Sequence, residues 1–105
     1  MADLKSIIEQ AWEARDSISP TSVSADIKEA IITVLERLDK GDERVAEKVS
    51  GEWVVHQWLK KAVLLSFRIR DNQPMHDGVN QFFDKVPLKF SDYSPEQFQQ
   101  EGIRV

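Results

Sequence analysis

The sequence predicts an α+β fold, mainly helical and forming a single domain over residues 1–105: an N-terminal helical hairpin, a β-hairpin, a central buried helix and a short C-terminal helix. Three observations carry this expectation. Apolar residues recur at helical spacing in two stretches near the N-terminus. The period then switches to two around a Ser-Gly turn. A later helix is apolar over so much of its circumference that it needs cover from more than one side.

The first helical stretch covers residues 4–18. Leu4, Ile7, Ile8, Ala11 and Trp12 fall on one face, Asp3 is a fitting N-cap, and Ser19-Pro20 closes the segment because the residue before proline avoids the helical basin. In the second, Ile27, Ala30, Ile31, Val34, Leu35 and Leu38 make a continuous stripe, with Ser24 before it and Gly41 after it. A short Ser/Thr/Pro linker between two amphipathic helices predicts a helical hairpin.

"RVAEKV" at 44–49 and "EWVVH" at 52–56 flank Ser50-Gly51, a two-residue turn with glycine second. The register pairs Val49 with Glu52, Lys48 with Trp53 and Ala46 with Val55. An isolated hairpin is marginal in water, so this one is expected to lean on helices or on another sheet. "HQWLKKAVLLSFRIRDN" follows without a break. Trp58, Ala62, Leu65 and Ile69 form one stripe, and Leu59, Val63, Leu64 and Phe67 widen it.

Residues 72–81, "NQPMHDGVNQ", are polar, turn-rich and aperiodic, which predicts a surface loop. "FFDKVPLKF" at 82–90 is expected to run extended, since Pro87 pushes Val86 out of the helical basin. "SPEQFQQEG" carries Ser94 at N-cap, Pro95 at N1, Gln97 at N3 and Gly102 past the end: a capping box on a short helix. Ile103, Arg104 and Val105 then alternate apolar, charged, apolar, as an extended segment would.

Composition narrows the function classes. Hydrophobic residues at 41% and charged residues at 30% are those of an ordinary globular protein. With no cysteine there are no disulfides and no thiolate metal sites, and nothing points to secretion. The first five residues have neither the basic nor the apolar part of a signal peptide. The apolar run Ala62-Val63-Leu64-Leu65 is far too short to span a bilayer, so no membrane partner is expected and the cytoplasm is the default location.

Net charge is −4, but residues 53–90 hold six basic against three acidic side chains, +3, leaving −7 for the remainder. That balance argues against nucleic acid. The basic middle could face an anionic ligand or an acidic neighbouring surface; the commoner reading of such a run is a solvated face.

Local spacing supplies no reaction. His56 sits at a strand-to-helix junction and His76 beside Asp77 in the polar stretch; a metal site needs more ligands than either has nearby. Glu52, Asp84 and Asp92 are isolated carboxylates, Ser66 has no nucleophile elbow, and there is no glycine-rich phosphate loop. Trp12, Trp53 and Trp58 suit packing better than base stacking. No catalytic, cofactor-binding or metal-binding residue is expected in this chain.

"RVAEKVSGEWVVHQWLKKAVLLSFRIRDNQ", "FFDKVPLKF" and the terminal "EGIRV" resemble the N-terminal region of the bacterial tetrahydrodipicolinate N-succinyltransferases, with similarity over essentially all 105 residues. The resemblance implies an acyltransferase of diaminopimelate and lysine biosynthesis. Such an enzyme moves succinyl from succinyl-CoA, its co-substrate, to the amino group of a small dicarboxylate and releases coenzyme A. It also implies a homotrimer whose main domain is a left-handed β-helix of hexapeptide repeats beginning just after residue 105, with active sites between neighbouring β-helices. On that reading the β-helix expected next is absent from these residues. The sequence is then the family's N-terminal domain by itself or a truncated chain, inactive alone, because the family's acidic catalytic residues and coenzyme A contacts lie in the β-helix. The family's "EG-x-R-V" motif places a substrate-binding arginine at Arg104, where a guanidinium fork suits a carboxylate. A different class of function also fits: a stand-alone helical interaction module whose apolar third helix docks a partner protein.

Overall fold

In the computed structural model, which describes residues 3–76 and 78–105, helix α1 (Leu4–Glu13) starts where the Asp3 carboxylate accepts the Ser6 N–H at 2.7 Å. It ends earlier than the sequence expects. Ala14 leaves the helical basin, and residues Arg15–Ser17 form a single 3₁₀ turn before Ser19-Pro20 is reached. Helix α2 (Ala25–Lys40) begins on the Ser24 hydroxyl and stops at Gly41. Gly41 has φ +82°, and the N–H groups of Gly41 and Asp42 bond back to Leu38 and Arg37. That is the paired bonding of a Schellman cap, which needs a left-handed residue.

Strands β1 (Ala46–Val49) and β2 (Glu52–Val55) form an antiparallel hairpin in the expected register. Ser50 (φ +52°) and Gly51 (φ +85°) both take positive φ, the conformation that matches the twist of paired strands. The expected cover is not there. Trp53 is 71% exposed and Val55 52%, so the helices of the same unit leave that face of the hairpin bare. Its anchor is the strand end: the His56 N–H donates to the Val45 carbonyl at 2.7 Å, and Val45 packs on the core.

Helix α3 (Gln57–Ser66) follows immediately and packs against both α1 and α2. Ile8 and Ala11 from α1, Ala30, Ile31 and Val34 from α2, and Leu59, Ala62 and Leu65 from α3 meet in one core, closed by Ile18 and Ile69. The helix is central but covered on one side. Leu64 and Phe67 remain exposed, and the helix stops at Ser66 instead of running to 69. These elements make up the unit Met1–Asp71.

The unit Asn72–Val105 contains a hairpin that the sequence reading missed. Strand β3 (Gln73–His76) pairs antiparallel with β4 (Gln81–Asp84), placing Met75 opposite Phe82 and Pro74 opposite Phe83. Residues 72–81 are therefore not simply a loop, although Asp77 lies outside the described residues. Pro74 fits because a two-stranded sheet consists only of edges. After Asp84 the chain bends and turns instead of continuing extended to 90. Helix α4 (Pro95–Glu101) has the full expected capping box: the Gln97 N–H donates to the Ser94 hydroxyl, and the Ser94 N–H donates to the Gln97 side chain.

Candidate functional site: the C-terminal arginine

Arg104 lies just past α4, and the local structure explains how it is held. Phe90, Tyr93 and Phe98 form a triangle of rings with centroids 5.0, 5.3 and 5.7 Å apart; Phe90 and Tyr93 meet edge-on at 82°. Offset and edge contacts of this kind are favourable beyond the area they bury. They fasten α4 to the turn before it.

At the other end of the helix Gly102 takes φ +66°, its N–H bonding to the Gln99 carbonyl and that of Ile103 to the Phe98 carbonyl at 3.0 Å. Phe98 thus belongs to both the ring cluster and the cap, and through Ile103 it fixes where the backbone leaves for Arg104. The Arg104 side chain is exposed, and no hydrogen bond or ion pair engages it among the described residues. A guanidinium with free donors on a rigid support can accept a carboxylate bidentately.

His56 is the N-cap residue of α3 but makes no side-chain cap bond; its Nε2 stands 3.6 Å from Glu47 Oε1, with both side chains partly exposed. His76 ends β3, away from any ligand set: among the described residues no group of three or more His, Asp or Glu could hold a metal. Asp84 is occupied by the Lys85 N–H at 2.7 Å.

The basic stretch is largely used within the chain, a feature its charge count alone does not reveal. Lys61 Nζ meets Glu9 Oε2 at 2.7 Å, Arg68 donates to the Arg15 carbonyl at 3.0 Å, and Lys85 Nζ reaches Asn72 Oδ1 at 3.1 Å. Arg15 lies 4.5 Å over the Trp12 ring while donating to the Trp12 carbonyl, so Trp12 is a packing platform for an arginine. Among the described residues no helix is long and apolar enough to cross a membrane.

Comparison with known proteins identifies the family. The family model described as Tetrahydrodipicolinate N-succinyltransferase N-terminal matches residues 3–69. Over all 105 residues the chain is 73% identical to the 2,3,4,5-tetrahydropyridine-2,6-dicarboxylate N-succinyltransferase of Pseudoalteromonas translucida (strain TAC 125). It is 58% identical to the protein of that name from Tolumonas auensis and 56% to that from Haemophilus influenzae (strain PittEE). In each case all of this chain is matched, and it spans 38% of the relative's length. Arg104 lies outside the stretch matched by the family model but inside the alignments with these relatives.

Proposed function

Because the chain belongs to the tetrahydrodipicolinate N-succinyltransferase family, as its N-terminal region, we propose that it serves an acyltransferase of the cytoplasmic route to diaminopimelate and lysine. The observation that carries this reading is 73% identity across every residue of the chain. In the proposed reaction the amino group of the ring-opened dicarboxylate attacks the thioester carbon of succinyl-CoA. An amide forms, coenzyme A leaves as the thiol, and the amine gives up a proton. This region supplies no general base and no coenzyme A contact. It helps assemble a homotrimer and presents Arg104 to a carboxylate of the dicarboxylate substrate.

The exposed guanidinium on its α4 support favours that role, since orientation is what a bidentate carboxylate partner contributes. The test is Arg104→Lys in a chimera that joins residues 1–105 to the remainder of the Pseudoalteromonas translucida relative. Losing one charge-assisted hydrogen bond costs about 1.5–3 kcal/mol, on the order of ten- to a hundredfold in kcat/KM for the dicarboxylate. Saturation by succinyl-CoA should change little. Unchanged dicarboxylate kinetics in an intact assembly would return Arg104 to a merely solvated role.

A further inference from the structure

Two surfaces of the unit Met1–Asp71 are uncovered, and they complement each other. The first is one face of the β1–β2 hairpin. Val45 packs on the core, so alternation turns Ala46, Lys48, Trp53 and Val55 away from it, and all four are exposed. The register sets Lys48 directly beside Trp53 and Ala46 beside Val55. This face therefore carries an indole and a valine with a single charge, the Lys48 ammonium, which no hydrogen bond or ion pair engages among the described residues. An exposed tryptophan next to a second apolar side chain is the kind of anchor that fills a pocket on a partner.

The second is a groove of about 660 Å³ between α1 and α2. Leu4, Ile7 and Ala11 line it from one helix and Ile27 and Ala30 from the other, so its floor is apolar. Its charged lining residues, among the described residues, are Asp26 and Glu29. Both carboxylates are exposed, and neither has an ion-pair partner among the described residues. Hairpin face and groove belong to the same unit, and Trp53 is 71% exposed there, so a chain does not fill its own groove.

We propose that the Trp53 face of one copy of this chain docks in the α1–α2 groove of a second copy. The indole and Val55 cover the apolar floor. Lys48, held beside the indole by the register, brings its ammonium to the rim where Asp26 and Glu29 stand. A lysine and two carboxylates are charged at neutral pH, so this match needs no change of protonation. The two surfaces are different patches of one chain, and such a head-to-tail contact closes into a ring when the rotation allows. A ring of three is the closure that agrees with the homotrimer proposed above. One hairpin face in one groove is a small interface and binds weakly alone; joining the copies elsewhere raises their effective concentration and makes it count.

Only the number of copies in the ring rests on the proposed function. The docking itself is read on the 105-residue chain by proton–nitrogen NMR, so an inactive chimera leaves it standing. Between about 20 µM and about 1 mM the Trp53 indole N–H and the Ile7 and Ile27 amides should shift together, while the Trp58 indole N–H stays in place. Trp53→Ala and Glu29→Lys change exposed side chains, and each should weaken association by at least about tenfold, with the Leu59 amide unmoved as the sign of an intact fold. Mixing the two variants is decisive. Trp53→Ala keeps the groove and Glu29→Lys keeps the hairpin face, so unlabelled Trp53→Ala added to labelled Glu29→Lys should restore the Trp53 shift, and unlabelled Glu29→Lys should not. Signals that do not move with concentration would overturn the proposal. So would a Trp53 shift that Glu29→Lys leaves undiminished, since the hairpin face would then meet something other than the groove.

Discussion

The carboxylate of Asp3 accepts the Ser6 N–H, and this bond, with a smaller contribution from the Ser6 side chain, holds its titration below the ordinary value of 3.8. A carboxylate with a depressed folded pKa stabilises above the unfolded value and loses that contribution as the pH falls through the folded one. The α1 cap should therefore be fully in place from about pH 5 upward and fade in the acid range below the ordinary value. Asp3→Asn keeps an acceptor but cannot titrate, so comparing melting of the two proteins from pH 7 to pH 2 should show the difference between them shrinking in acid. At the other end of the chain, Ser94→Ala removes the hydroxyl that accepts the Gln97 N–H. A cost of about 1 kcal/mol is expected, read as loss of α4 helicity by chemical shift. Both caps are legible in sequence because capping is a local contract between residues three apart. Arg104 is different: its three-residue setting looks like any solvated strand arginine, and only the resemblance singled it out.

Helices α1, α2 and α3 show how far periodicity reaches. Stripes at i, i+3, i+4 and i+7 correctly named the buried residues Ile8, Ala30, Ile31, Val34, Ala62 and Leu65. What periodicity could not rank is how much of an apolar circumference finds a partner, and so Leu64 and Phe67 lie exposed on a helix that looked surrounded. Leu59 is fully buried between the three helices. Leu59→Ala should destabilise the unit Met1–Asp71 by about 2–5 kcal/mol in denaturant unfolding, whereas Leu64→Ala should cost far less. The β1–β2 register was readable because a two-residue turn with positive φ at both positions fixes it. The β3–β4 hairpin was not. Its four-residue connection, 77–80, is longer, its first strand carries Pro74, and the polar sequence around it hides a pairing that rests on Met75 opposite Phe82. The asymmetry between the two hairpins is physical: short turns constrain strands, and long ones leave the choice to cross-strand contacts.

For the molecule as a whole, the chain spans 38% of the length of the relatives it matches, and the proposed chemistry is expected to draw on groups outside these residues. Purified residues 1–105 should thus release no coenzyme A above background when given succinyl-CoA and the dicarboxylate, as measured by thiol titration. The class of fold was legible because the helices and the first hairpin announce themselves locally. The activity was not, because local spacing in the sequence brings no histidine, carboxylate or serine into a catalytic motif, and it entered through the resemblance. The central claim is that these residues do the work of the N-terminal region of a tetrahydrodipicolinate N-succinyltransferase. The direct measurement is thiol release by the chimera in which residues 1–105 replace the matching region of the Pseudoalteromonas translucida relative. Coenzyme A release that depends on the dicarboxylate, at a rate near that of the relative itself, is expected; a chimera that is folded and assembled like the relative yet releases none would contradict that role.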